Sequence, residues 1–539
     1  MSKLLKADYV FKNGKVITVN SNDDVVSAVA TLDNKIIYVG NDKEAEEYIG
    51  EHTKVIDLNN KTLTPGFIDA HQHSAHTAAW KNMFYNLDPS LAPNKKKMLE
   101  LIKKAVDETA EGKWVLFWGY DEMRMEEGVA PTVQELDEIA PNHPLLVGRF
   151  CGHVGSFNTK ALEIGNINID TAKNFVEGQV AINDGQLVGQ LYETAYYHMW
   201  NYADIDVSKL IFALEMESKE ILKYGVTTTH DAGSFGAPSY FAYNQAIKAK
   251  AYKARVAPMF FNLLGKDNVI RDIKQYIDLG IGILGSERLK YGIMKIMIDG
   301  SSSSPSCAVS VPYCHNKGTG ILSMSAEEVE EMALTIHKAG LQAAAHCIGD
   351  RATEIWVTAV EKAQHAFPRE DARHRIEHCG MATPDQINRI KELGMIPTPN
   401  TRFLYLNGER YFKFFGERAK SMFPCKSWVD AGVKAAIGTD GPIVSTNPLL
   451  GLSSAIDRRT SEGNPIGPEQ NITILEAIRM YTYNGAYATF EEDIKGSIEV
   501  GKLADLAVYD GDLLKATASE LEKIRCVLTM VDGEVVYQL

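Results

Sequence analysis

Between Thr64 and Asp440 the chain carries eight short apolar stretches, each set off from the next by residues of helical character. These are Thr64–His71, Val226–His230, Val256–Asn262, Tyr291–Asp299, Gln342–His346, Arg375–His378, Met395–Thr398 and Lys434–Asp440. Alternation of this kind is the signature of βα units, and eight of them predict an α/β fold of the (β/α)8 TIM-barrel class. The region is longer than the roughly 250 residues such a barrel needs. Most of the excess lies between the first two stretches, so residues 78–215 are expected to be a large insertion with helices and strands of its own, lying over one end of the barrel.

The two ends of the chain read differently. Tyr9-Val10-Phe11, Val16–Val19 and Lys35–Val39 alternate with turn signals such as Asn13-Gly14, the pattern of β-hairpins. Asp505–Tyr509 and Val527–Tyr537, broken at Asp532-Gly533, repeat it. Neither end can build a core alone, so residues 1–62 and 491–539 are expected to form one small β-sandwich domain, with 63–490 as the barrel.

Five of the eight stretches contain or end in a residue able to bind a transition metal. In Thr-Pro-Gly-Phe-Ile-Asp-Ala-His71-Gln-His73 two imidazoles lie two apart on an extended segment and point the same way. Later stretches end in His346, His378 and Asp440, at the end where barrel enzymes keep their active sites. Imidazole with carboxylate suits zinc by default, with iron, manganese or nickel as alternatives, at one or two divalent sites. Lys295 stands in an otherwise apolar stretch and must be compensated. Either it pairs with Asp299, on the same face by the period of two, or its amine takes up carbon dioxide and becomes a carbamate that bridges two ions.

These segments resemble the amidohydrolase superfamily, in its YtcJ-like amidohydrolase-3 branch. The likeness runs through the His71/His73 segment, Lys295 with Asp299-Gly-Ser after it, Ala-His346-Cys-Ile-Gly-Asp-Arg, Arg-Ile-Glu-His378 and Gly-Thr-Asp440-Gly-Pro. It continues in the closing Lys495–Asp510 segment and, in the insertion, in Trp118-Gly-Tyr-Asp121, Arg149–His153 and Asn158; Tyr120 displaces the branch's usual Trp-Asp. The resemblance implies that His71, His73 and Asp440 hold one metal, that His346 and His378 hold a second, and that carboxylated Lys295 bridges them. Asp440 would act as the catalytic base, and His153 would contact the substrate carbonyl.

The activity implied is hydrolysis of a non-peptide C–N bond, an amide or N-substituted formamide. The alternatives are deamination of a heterocyclic or amidine substrate, for which Lys295 is unneeded, and a non-catalytic metal-stabilised binding protein. Other residues read more plainly. His76 lies within reach of His73. His230 closes the second stretch, as a rim contact or as a hydrogen-bonded strand end. Cys347 and Cys379 are packing residues. Ser301–Ser304 form a turn or line the pocket, and Trp80, Trp118, Tyr197 and Trp200 either line the substrate site or form the insertion's core.

Seventy acidic residues against 56 basic ones leave a formal charge of −14, which disfavours nucleic acid as a partner. With 45% hydrophobic and 23% charged residues and no apolar run long enough to cross a membrane, the expectation is a soluble enzyme acting on a small molecule, with self-association left open. Seven scattered cysteines with no CxxC pair point to reduced thiols and the cytoplasm.

Overall fold

The first apolar stretch divides at Gly66. Thr62–Pro65 joins a sheet built from the chain ends, whereas Phe67–Gln72 starts the central layer. A Cβ at Gly66 would lie 2.3 Å from Thr227 Oγ1, so only glycine lets the chain pass from one layer to the other at this point. These features belong to a computed structural model, which describes residues 5–175, 179–233, 236–261, 266–278, 280 and 285–539.

Phe67–Gln72 pairs in parallel with Val226–Asp231, which pairs with Arg255–Pro258. One residue further on, Phe260–Phe261 pairs with Ile293–Met297; Asn262, which the sequence places in the same strand, lies outside the described residues. Gln342–Cys347, Arg375–His378 and Ile396–Thr398 follow in chain order, all parallel.

The eighth stretch forms no regular ladder. Its N–H groups at Ala436 and Gly438 donate to Pro397 O (3.0 Å) and Pro399 O (3.1 Å), but those prolines have no N–H to return. On its other side Ala70 N–H donates to Ile437 O (3.2 Å) and Asp440 N–H to His71 O (2.6 Å). The series of neighbours therefore returns to the strand on which it began. Gly438 permits this closure, because a Cβ there would lie 2.4 Å from His71 N. Helices follow the strands, and several open with a capping box, as Ser325/Glu328 and Thr383/Gln386 do.

The chain ends supply two sheets. One has the order Lys35–Gly40, Ala28–Leu32, Tyr9–Lys12, Lys54–Asp57, and the other runs from Glu534–Gln538 through Cys526–Val531, Leu506–Tyr509, Thr62–Pro65 and Lys15–Ile17 to Val25–Val26. Phe11, Val29, Val16, Leu63, Leu506 and Leu528 form a common apolar cluster. The Asn13-Gly14 signal is a corner here and not a hairpin turn. Phe11 and Val16 both face the shared core, so the chain changes sheets at Asn13 (φ 58°) and does not pair back on itself. Buried Arg255 ties these sheets to the central layer through Asp505 (2.6 and 2.9 Å) and Asp532 (2.9 Å).

Residues between Tyr85 and Tyr192 build a separate six-stranded sheet with helices Lys95–Glu108 and Val133–Ile139. Leu87, Met98, Ile102, Phe117, Leu136 and Val147 are among the residues of its own core. At the opposite end of the central strands, His374 Nδ1 accepts from Ala343 N–H (2.9 Å), so its Nε2–H donates to His337 Nδ1 (2.8 Å). No helix among the described residues is long and apolar enough to cross a membrane.

Candidate active site

Parallel register places directly paired residues on the same face. Met297 stands beside His346, His346 beside Glu377 and Glu377 beside Thr398, while Lys295 stands beside Ala344 and Ala344 beside Arg375. By strict alternation His378 would point away from Glu377. It adopts φ 68° at the strand end instead, which brings its ring to 4.5 Å from those of both His71 and His346. Asp440, at φ 63°, turns back toward the site in the same way. Left-handed backbone at two buried non-glycine residues is costly and is concentrated at functional sites.

The six residues that the sequence nominates for metal binding come together. His71, His73 and Asp440 each offer a ligand atom within 4.8 Å of the others. Asp440 Oδ1 lies 3.3 Å from His71 Nε2 and 3.1 Å from His73 Nε2. His378 and His346 continue the row of rings, and His153 follows at 5.8 Å from His346. Lys295, His346, His378, His153 and Asp440 all line one cavity of about 380 Å³.

Burial keeps His73 and His346 below the usual imidazole range and lowers His378 to about 3, so these rings are neutral and have a free lone pair. Burial also opposes ionisation of Asp440, but the close approach of the His71 and His73 rings outweighs it and holds the carboxyl well below its ordinary value. Lys295 is drawn down to about 8, chiefly by burial. It does not pair with Asp299. That carboxylate is engaged by the N–H groups of Ala308 (2.9 Å), Ile348 (3.0 Å) and Gly349 (2.8 Å), while Lys295 Nζ lies 5.2 Å over the Phe261 ring.

Behind the row lies a layer that residue types alone do not assign. Arg375 donates to Glu377 Oε1 (2.7 Å) and Thr398 to Glu377 Oε2 (2.9 Å), and Glu377 in turn accepts from His71 Nδ1. His378 Nδ1–H donates to Asn400 Oδ1 (2.6 Å). Glu193, at φ 47°, accepts from His153 Nδ1 (2.8 Å), and its charge outweighs burial and raises the His153 pKa. The signal for Arg375 and Glu377 was present in Arg-Ile-Glu-His: two charges two apart on an inward face need each other. Nothing local marked Asn400 or Glu193.

His230 is the hydrogen-bonded strand end, with Nδ1 accepting from Arg375 Nη1 (3.0 Å). Cys347 and Cys379 are fully buried packing residues. His76 lines the cavity and stacks on Trp80. Both readings of the aromatic residues hold in part: Trp80, Tyr197 and Trp200 line the cavity, whereas Phe117 and Tyr120 are core. Ser301 and Ser303 also line it.

Residues 54–537 match the sequence profile of the amidohydrolase family. The chain belongs to the amidohydrolase family. Membership makes it a hydrolase of carbon–nitrogen bonds with a small-molecule substrate. This amidohydrolase is 29% identical to an N-substituted formamide deformylase of Arthrobacter pascens, across 98% of both chains. It is 28% identical to the LONG AFTER FAR-RED 3 protein of Arabidopsis thaliana, over 93% of this chain and 87% of that one. Its fold is that of a solved but uncharacterised metal-dependent hydrolase from Pyrococcus horikoshii. The two align at TM-score 0.76 and 21% identity, over 95% of this chain and 99% of the other.

Proposed function

We propose that this amidohydrolase uses one or two divalent ions, zinc by default, to hydrolyse the C–N bond of an N-substituted formamide or related amide. In this reading the eight parallel segments are a (β/α)8 barrel, residues 78–215 are its insertion and the chain-end sheets are a β-sandwich. One observation carries the reading: His71 Nε2 and Asp440 Oδ1 are buried, face each other and have no hydrogen-bond partner among the described residues. Buried polar atoms without partners are rare, and two of opposite type converging on a third ligand fit a bound cation.

His71, His73 and Asp440 would hold one ion and His346 and His378 a second, with carboxylated Lys295 shared between them. Carboxylation requires the neutral amine: Nζ attacks carbon dioxide, an N–C bond forms and a proton leaves to solvent. When bound, the ions supply Lewis acidity toward the carbonyl and a nucleophile at neutral pH. Asp440 takes the proton of the attacking water and returns it to the leaving nitrogen. His153, held by Glu193 through Nδ1, presents Nε2–H to the substrate carbonyl oxygen. The formamide substrate is favoured by the similarity to the deformylase across both chains. Seven cysteines without a disulfide support the cytoplasm as the compartment.

The test is to reconstitute the chain with zinc and measure formate and amine release from a panel of N-substituted formamides. Metal-dependent formate release is expected. Zinc-loaded protein that is inert on formamides but releases ammonia from nucleobases would replace this reading with deamination.

A further inference from the structure

The helix Arg402–Phe415 presents a single stripe to the cavity: Phe403, Leu406, Asn407 and Arg410, at spacings of three, four and seven. Its other face, with Leu404, Tyr411 and Phe415, is packed into the core. The stripe starts at the candidate metal ligands, since the Phe403 ring stacks against His378 at 6.3 Å and 16°. It ends at Arg410, two turns away.

Arg410 is only partly exposed, yet among the described residues it has no hydrogen bond or ion pair. The arginines nearest in sequence are satisfied: Arg402 donates to Glu522 (2.7 Å), and Arg418 to Val311 O and Pro312 O (both 2.8 Å). Arg124, from the insertion, lines the same cavity, and its carboxylate neighbour Asp88 is 3.9 Å away. The cavity's Asp121 is already paired with Arg149 at 3.1 Å. A chain of net charge −14 therefore leaves Arg410 uncompensated at this cavity, and holds Arg124 there only by a long, exposed ion pair.

We propose that Arg410, assisted by Arg124, binds a carboxylate at the far end of the substrate. The substrate class is then an N-formyl or N-acyl amine whose apolar or aromatic spacer carries an anion. A guanidinium takes a carboxylate in a bidentate grip, which suits a partly buried site lacking its counter-ion. Phe403 and Arg410 are separated by roughly 10 Å of helix rise, and long helical side chains lean back toward the N-terminus. The anion lies within about that distance of the scissile bond, with Leu406 against the spacer. This assignment rests on the hydrolase reading above.

The experiment compares 4-(formamidomethyl)benzoate with its counterpart bearing a para-methyl group, using the zinc-reconstituted full chain. The scissile group is the same in both. The carboxylate is expected to be preferred about tenfold in kcat/KM, mainly through KM. Arg410→Met is expected to abolish that ratio and Arg410→Lys to recover part of it. A merely structural role for Arg410 would slow both compounds alike and leave the ratio intact, which overturns the proposal, as does a ratio near one in the native protein.

Calorimetric binding of inert 4-methylbenzoate separates the two readings. If neither formamide is turned over while this anion binds in an Arg410-dependent way, the hydrolase reading falls and the anion site stands. Turnover of both formamides with no Arg410-dependent preference does the reverse.

Discussion

His71 Nδ1 donates to the Glu377 carboxylate, and both side chains are fully buried. Arg375 fixes the direction of that bond: its charge, acting against burial, holds Glu377 well below the carboxylate range, so Glu377 accepts and His71 carries its proton on Nδ1. Nε2 is left bare toward Asp440 and His73. A carboxylate behind a ligating imidazole sets its tautomer and raises its basicity.

Glu377→Gln keeps the shape and removes the charge. Zinc affinity, measured by competition with a chelator, is expected to fall about 10- to 100-fold. Because buried Arg375 loses its counter-ion, a stability loss of about 3–5 kcal/mol should accompany it in denaturant titration. Native affinity in this variant would refute the relay.

Asp440→Asn removes the proposed proton acceptor. Turnover on a formamide is expected to drop about 10²- to 10⁴-fold. Metal analysis of the same sample completes the test, because full metal together with full turnover contradicts the role given to Asp440.

Lys295→Met removes the amine from a site that Phe261 already lines with apolar surface, so the fold should tolerate it. The expectation is a fall from about two ions per chain to about one, read by emission spectroscopy, with loss of turnover. Unchanged stoichiometry would mean that Lys295 carries no bridging ligand.

The buried His374 gives a pH dependence independent of metal. Burial first, then His337 and Arg369, lower its pKa to about 3 in the folded chain, against an ordinary 6.5. Its contribution to stability is complete above 6.5 and is lost as pH falls from there toward about 3, because only the unfolded chain takes up the proton. The slope is about 1.4 kcal/mol per pH unit for this one group. His374→Asn should flatten the acid side of a stability profile by that amount, and an unaltered slope would contradict the assignment.

The candidate ligands were legible because ligation needs particular atoms at strand ends, and a period of two or a terminal position suffices to nominate them. Lys295 was legible for the related reason that a lone charge in an apolar strand demands an explanation. Asn400 and Glu193 were not, since each acts through one hydrogen bond to a residue distant in sequence, and neither residue type is unusual where it stands. The hairpin expected at Asn13-Gly14 failed on similar grounds. A turn dipeptide states that the chain reverses or bends, and the choice between the two depended on which sheet could bury Phe11 and Val16.

Sequence alone therefore determined the alternating strand and helix plan, the residues nominated for metal binding and the family. Tertiary structure decided how these were used. It turned His378 inward through left-handed backbone, against the alternation that its position implies, and it set Asp440 beside His71 and His73 on a left-handed residue of an irregular segment. It closed the strand series over Pro397 and Pro399 without a regular ladder, and it left Arg410 at the cavity with no hydrogen bond or ion pair among the described residues. The division follows from range: periodicity and residue chemistry are local, whereas the direction of a side chain at a strand end and the satisfaction of a buried charge depend on atoms hundreds of residues away.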